Sequence, residues 1–166
     1  MKNLNKIRER SLLQCLADDG LLTQEQVESV MESRADPEET VVETVLRNQY
    51  TGEHDVAKSL VYNYQLPFIY PEDYTVNPEA TALLEGQFAH AKKILPLDLF
   101  GDTLVVLTSG NLDEQLIREV EELTGKEVAC MVTLHSSLEK KLEEIYPKDQ
   151  LAKEVKNRMD ELFGGE

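Results

Sequence analysis

Basic charge is scarce in this sequence: 17 Lys plus Arg stand against 32 Asp plus Glu, a formal net charge of −15. The deficit runs the length of the chain, since residues 1–65 hold 7 basic and 12 acidic side chains and residues 66–166 hold 10 and 20. Both halves repel a phosphate backbone at long range, which argues against nucleic-acid binding and against docking on an anionic membrane. Long apolar runs are missing too. Stretches such as Leu104-Val105-Val106-Leu107 fall far short of the ~20 residues of a membrane helix, so no direct membrane insertion is expected. Met1-Lys2-Asn3-Leu4-Asn5-Lys6 has no apolar stretch behind it and does not read as a secretory signal. Cysteine is limited to Cys15 and Cys130, far apart and without CxxC spacing. That usage fits reduced thiols and a cytoplasmic location.

Motifs that carry chemistry are equally sparse. The eight glycines form no GxxxxGK[ST] loop and no GxGxxG, and neither HExxH nor a GxSxG elbow occurs. His54, His90 and His135 fall in three separate segments and read as solvated surface histidines, with no metal expected. His135-Ser136-Ser137 reads as a helix start with the serines capping, and Cys15 as a core thiol beside Leu12, Leu13 and Leu16. No catalytic site and no cofactor are expected.

What is present is amphipathic patterning. Ile7, Leu12, Leu13 and Leu16 recur at helical spacing and stop near Gly20. Thr23-x-x-Gln26 has the form of a capping box, opening a helix with Val27, Val30 and Met31 inward. Asp36-Pro37 predicts the start of a third helix carrying Val41, Val42, Val45 and Leu46. After Gly52, Val56, Leu60 and Val61 mark a fourth. A shift of 29 residues takes Leu16 to Val45, Leu21 to Tyr50, Val27 to Val56 and Met31 to Leu60. Two copies of one helix pair, or a chance alignment of similar amphipathic helices, account for this equally.

The pattern changes after Asn63. Leu66–Tyr70 predicts a strand, and Asn77-Pro78-Glu79 caps a helix with Ala80, Leu83 and Leu84. Ile94–Phe100 alternates with Leu95, Leu97 and Leu99 on one face, and Gly101-Asp102 turns it into a strand at Thr103–Thr108. Asn111-Leu112-Asp113-Glu114 caps a helix burying Leu116, Val120 and Leu123, stopped by Gly125. Val128–Val132 gives a fourth strand, and Leu134, Leu138, Leu142 and Ile145 a helix closed by Pro147. Lys148–Phe163 places Leu151, Val155, Met159 and Leu162 on one stripe, which packs back on the domain or meets a partner. The expected fold is α+β: a helical subdomain of about four helices over 1–65, a small α/β-sandwich of about four strands over 66–147, and an amphipathic C-terminal helix over 148–166.

The stretch from Leu16-Ala17-Asp18-Asp19-Gly20-Leu21-Leu22 to Val27 resembles the opening of the N-terminal domain of type II secretion and type IV pilus assembly ATPases. The resemblance continues through Leu66-Pro67-Phe68-Ile69, Asn77-Pro78-Glu79-Ala80, Leu95-Pro96-Leu97, Gly101-Asp102-Thr103-Leu104 and Leu123-Thr124-Gly125-Lys126, ending near Tyr146. It implies a bacterial protein-transport role without the ATPase core, as a free-standing relative or a piece of a longer chain. It further implies docking onto an inner-membrane secretion or pilus assembly component, peripheral to that membrane through the partner.

Some members of the family bind cyclic di-GMP through a tandem motif that begins Arg-Leu-Gly and carries a later Gly-Leu/Ile-Leu/Ile step. This chain departs from it. Ser11-Leu12-Leu13 replaces Arg-Leu-Gly, Arg10 lies one residue early, Leu16 keeps an apolar position, and Gly20-Leu21-Leu22 is retained. The second copy has Thr40-Val41-Val42 and Gln49-Tyr50-Thr51 instead. Arginine pairs bidentately with phosphate and glycine allows close backbone approach. Their loss makes a protein-docking module the leading reading and a cyclic di-GMP-binding regulatory domain the alternative.

Overall fold

The computed structural model describes residues 9–32, 39–111 and 113–163. Four helices come first: α1 (Glu9–Asp18), α2 (Gln24–Glu32), α3 (Val41–Arg47) and α4 (Glu53–Tyr64). The 29-residue shift matches one end of each helix. It carries the end of α1 onto the end of α3 and the start of α2 onto the start of α4. After α1, Gly20 N–H donates to Ala17 O at 3.0 Å and Leu21 N–H to Leu16 O at 2.9 Å. After α3, Gln49 N–H donates to Leu46 O at 3.0 Å and Tyr50 N–H to Val45 O at 3.2 Å. Both are Schellman turns, and both put the residue after the cap at positive φ: +80° for Gly20 and +57° for Gln49.

The caps explain where these helices begin. Gln26 N–H donates to Thr23 Oγ1 at 3.1 Å while Thr23 N–H donates to Gln26 Oε1 at 2.9 Å, the reciprocal box predicted from the sequence. Asp36 and Pro37 lie outside the described residues. The third helix starts instead at Val41, with Thr40 as its cap and Glu43 completing a second box. Met31, expected inward, is 49% exposed, because the helix needs only Val27 and Val30 to meet the core.

The second half runs through a 3-10 turn (Pro71–Asp73), α5 (Pro78–Thr81), α6 (Gly86–Lys92), β1 (Ile94–Phe100), β2 (Thr103–Thr108), α7 (Glu114–Thr124), β3 (Glu127–Val132), α8 (His135–Ile145) and α9 (Lys148–Phe163). The sheet order is β1-β2-β3, antiparallel across the Gly101-Asp102 hairpin and parallel between β2 and β3, which α7 connects. The expected strand at Leu66–Tyr70 reduces to one parallel bridge, Phe68 with Val132, closed by Ile69 N–H to Val132 O and Val132 N–H to Pro67 O. Pro67 and Pro71 flank it, and proline has no N–H to extend a ladder.

The two faces of the sheet bury different sets of residues. Ile94, Leu104, Val106, Cys130 and Val132 join Leu12, Leu16, Val45 and Leu60 of the first helices, together with Leu116 and Val120 of α7. The first four helices and the sheet thus share a core. Leu95, Leu97, Val105 and Leu107 pack on the other face against Ala89 of α6 and Leu138 and Leu142 of α8. A bulge between Pro96 and Asp98 leaves Leu97 without a partner on β2. It sends Leu99 to the face opposite Leu95 and Leu97, correcting the simple alternation.

The expected cap of α7 is present, and one correction concerns its buried face. Its cap is Asp113, whose Oδ1 accepts from Leu116 N–H at 2.7 Å, while Asn111 Nδ2 donates to Lys92 O. Leu123 is exposed rather than buried. The last helix is present as expected, and of the two placements left open for its stripe it takes the exposed one. None of its residues is buried, and Val155, Met159 and Leu162 face solvent along with Phe163.

Candidate functional site

The nucleotide-motif positions divide between core and surface. Leu16 and Leu22 are buried, and Leu21 is half-buried against the same core. The side chains of Arg10 and Ser11 lie outside the described residues. Gly20 sits in the left-handed region, and no other atom lies within 4 Å of where its Cβ would be, so the step is open. Beside it a cleft of about 290 Å³ is lined by Asp19, Leu21, Asp55, Lys58, Ser59 and Tyr62. Asp19 Oδ2 accepts from Ser59 Oγ at 2.8 Å and from Asn63 Nδ2 at 3.1 Å. Two carboxylates and one ammonium therefore line this cleft. Near a protein surface a phosphate at about 4 Å from a like charge is disfavoured by about 1–4 kcal/mol. At the second copy, Thr40, Val41 and Val42 are buried and committed to the cap and core of α3.

The histidines are not a uniform set. His54 is exposed, and His90 Nε2 donates to the Tyr146 carbonyl at 2.6 Å. His135, expected on the surface, is buried at the start of α8. Its Nδ1 shares a 2.8 Å hydrogen bond with Ser109 Oγ and its Nε2 lies 3.2 Å from Glu139 Oε1. A serine, a histidine and an acid thus stand in line. Ser109 is only 3% exposed, so its hydroxyl has no approach for a substrate, and the bond orients the imidazole instead. The serines expected to cap α8 do not do so. Glu53 of α4 caps it from outside, accepting from Ser136 N at 2.9 Å and Ser136 Oγ at 2.7 Å.

Of the residues proposed for partner contact, only Leu151 reaches the domain. A cleft of about 410 Å³ lies between the start of α9 and the Thr81–Gly86 segment. A Cβ on Gly86 would come within 2.7 Å of Leu151 Cδ2, so glycine allows this approach. Arg158 pairs loosely with Glu85 at 4.0 Å. Val155, Met159 and Leu162 continue the stripe into solvent.

A family model described as the MshEN domain matches residues 64–151, just over half of the chain. The chain belongs to the MshEN domain family. Its relatives are N-terminal domains of type II secretion and type IV pilus assembly ATPases, as the ordered sequence series implied. It is 27% identical over 143 residues to the type IV pilus assembly ATPase PilB of Thermus thermophilus. That alignment covers 85% of this chain and 16% of PilB, so the chain spans about a sixth of that relative. Among solved structures, the N-terminal domain of XpsE matches with a TM-score of 0.64 at 17% identity, covering 80% of this chain and 91% of that one. A structure of MshE with cdg matches with a TM-score of 0.61 at 18% identity, covering 81% and 98%. The matches cover the MshEN-type N-terminal domain and not the catalytic core of these ATPases. No helix among the described residues is long and apolar enough to cross a membrane.

Proposed function

We propose that this MshEN domain is a non-catalytic docking module that acts by protein–protein contact within a secretion or pilus assembly system. The observation that carries the proposal is the cleft beside the Gly20-Leu21-Leu22 step, lined by the two carboxylates of Asp19 and Asp55 and a single ammonium, Lys58. A site for a doubly anionic dinucleotide needs the reverse balance. The stripe Val155, Met159 and Leu162 is the proposed contact surface, extended by Phe163. The partner is an inner-membrane assembly component with a basic face, since complementary charge speeds encounter with a chain of net charge −15. The domain then works in the cytoplasm, held near the membrane by that partner.

The second reading, a cyclic di-GMP-binding regulatory domain, is favoured by the open left-handed step at Gly20 and by the fold shared with MshE solved with cdg. Calorimetric titration with cyclic di-GMP separates the two. The docking reading expects no saturable heat. Low-micromolar binding that Arg10→Ala abolishes would replace it with the regulatory one.

A further inference from the structure

A groove of about 430 Å³ runs between α3 and the end of α6, with the first residue of α8 also lining it; Glu39, Glu43, Arg47, His90, Lys93 and His135 are among its walls. At one end the fold brings Glu43 of α3 against His135 and Glu139 of α8. One ligating atom from each of the three lies within 4.8 Å of the other two. His135 and Glu139 are four residues apart on one helix, so they share a face. The imidazole is buried, and Ser109 Oγ holds its Nδ1 from the interior at 2.8 Å. Its Nε2 is thereby turned toward the carboxylates. Metal-bound histidines are set in the same way, with one ring nitrogen fixed by a protein hydrogen bond and the other left for the ion. Glu43 is positioned independently, because its Oε1 accepts from Thr40 N–H at 3.3 Å in the α3 capping box.

We propose that Glu43, His135 and Glu139 bind one divalent transition-metal ion, with zinc the best chemical match, and that the ion ties α3 to α8. An imidazole with two carboxylates suits zinc, whereas calcium and magnesium favour all-oxygen sets. Three protein ligands leave a fourth position for water. Donors around zinc stand at about 2.1 Å from the ion, closer together than the present spread, so the exposed Glu139 swings inward and Glu43 gives up its long 3.3 Å bond from Thr40 N–H to follow, while His135 stays. Lys93 Nζ, now 3.5 Å from Glu139 Oε1, is displaced. Arg47, which also lines the groove, is paired through its Nε with Glu39 Oε1 at 3.0 Å. The site joins the helical half to the α+β half at the junction where Glu53 already caps α8.

The test is calorimetric titration of the full, chelator-treated chain with zinc chloride, with thermal unfolding recorded alongside. One ion per chain and a raised Tm are expected. Glu139→Gln weakens binding about tenfold or more, and Ser109→Ala weakens it by about 10–100-fold through the histidine it orients. His54→Ala leaves binding unchanged. Glu139 is exposed, so its variant folds even if His135→Ala does not. Cobalt(II) substitution reports the ligand set: d–d bands without thiolate charge transfer support the site. No saturable binding, binding that survives Glu139→Gln, loss in His54→Ala, or thiolate bands each overturn it.

Discussion

Glu53 joins parts of the chain that local sequence cannot connect. Burial pushes its carboxyl up, but the hydrogen bonds accepted from Ser136 N and Oγ, with His54 and His135 nearby, outweigh that and hold it below its ordinary value. Asp98 is held low as well, chiefly by the Tyr74 hydroxyl, then by Leu99 N–H and Asn77 Nδ2. Because both folded pKa values are depressed, their stabilisation is present above the ordinary carboxylate range. It is lost as pH falls through the folded values, below about pH 4. Glu53→Gln is expected to cost about 1 kcal/mol at neutral pH through the weakened α8 cap. The same variant unfolds with a shallower acid limb, which urea unfolding at several pH values measures. Cys130 behaves oppositely, since burial pushes its thiol up to about 12, with Glu121 adding to the shift. It stays protonated and inert, as a core thiol should. Its burial was legible from the apolar residues around it, whereas Glu53 was not: its partner is 83 residues away.

At the scale of elements, the two Schellman turns form a natural comparison. Gly20 occupies the left-handed region without a Cβ, while Gln49 occupies it with one. That conformation costs an L-residue about 1–2 kcal/mol. Gly20→Ala is therefore expected to lower stability by about 1 kcal/mol. Gln49→Gly raises it by about 0.5–1 kcal/mol, the penalty relieved less the chain entropy added to the unfolded state. Thermal unfolding of the two variants checks both signs. The glycine stop and the Thr23–Gln26 box could be read from sequence because each depends on residues three to five positions apart. The bulge at Leu97 could not. Alternation along β1 is unbroken in sequence, and only the register against β2 shows where one residue is extra.

Over the whole molecule the decisive feature is the position of α9. Removing residues 152–163 is expected to change the stability of the rest by no more than about 0.5 kcal/mol, because each of them is exposed. If the docking reading holds, the same truncation abolishes partner binding, and urea unfolding paired with a binding assay separates the two effects. Met159→Glu with Leu162→Glu should reproduce the loss of binding without the truncation.

Local order in the chain sufficed for the glycine stops at Gly20 and Gly125, the box at Thr23 and the hairpin at Gly101, and the ordered series of such pieces sufficed for the family. Each depends on contacts spanning a few residues, so each leaves a periodic or spaced trace. The tertiary structure alone decided that His135 is buried on Ser109 beside Glu43 and Glu139, that Glu53 caps α8, and that the α9 stripe stays open. An amphipathic face reads the same whether a core or a partner is to cover it. A histidine reads the same at a surface as in an interior. What distinguishes them is the set of distant neighbours, and folding supplies those.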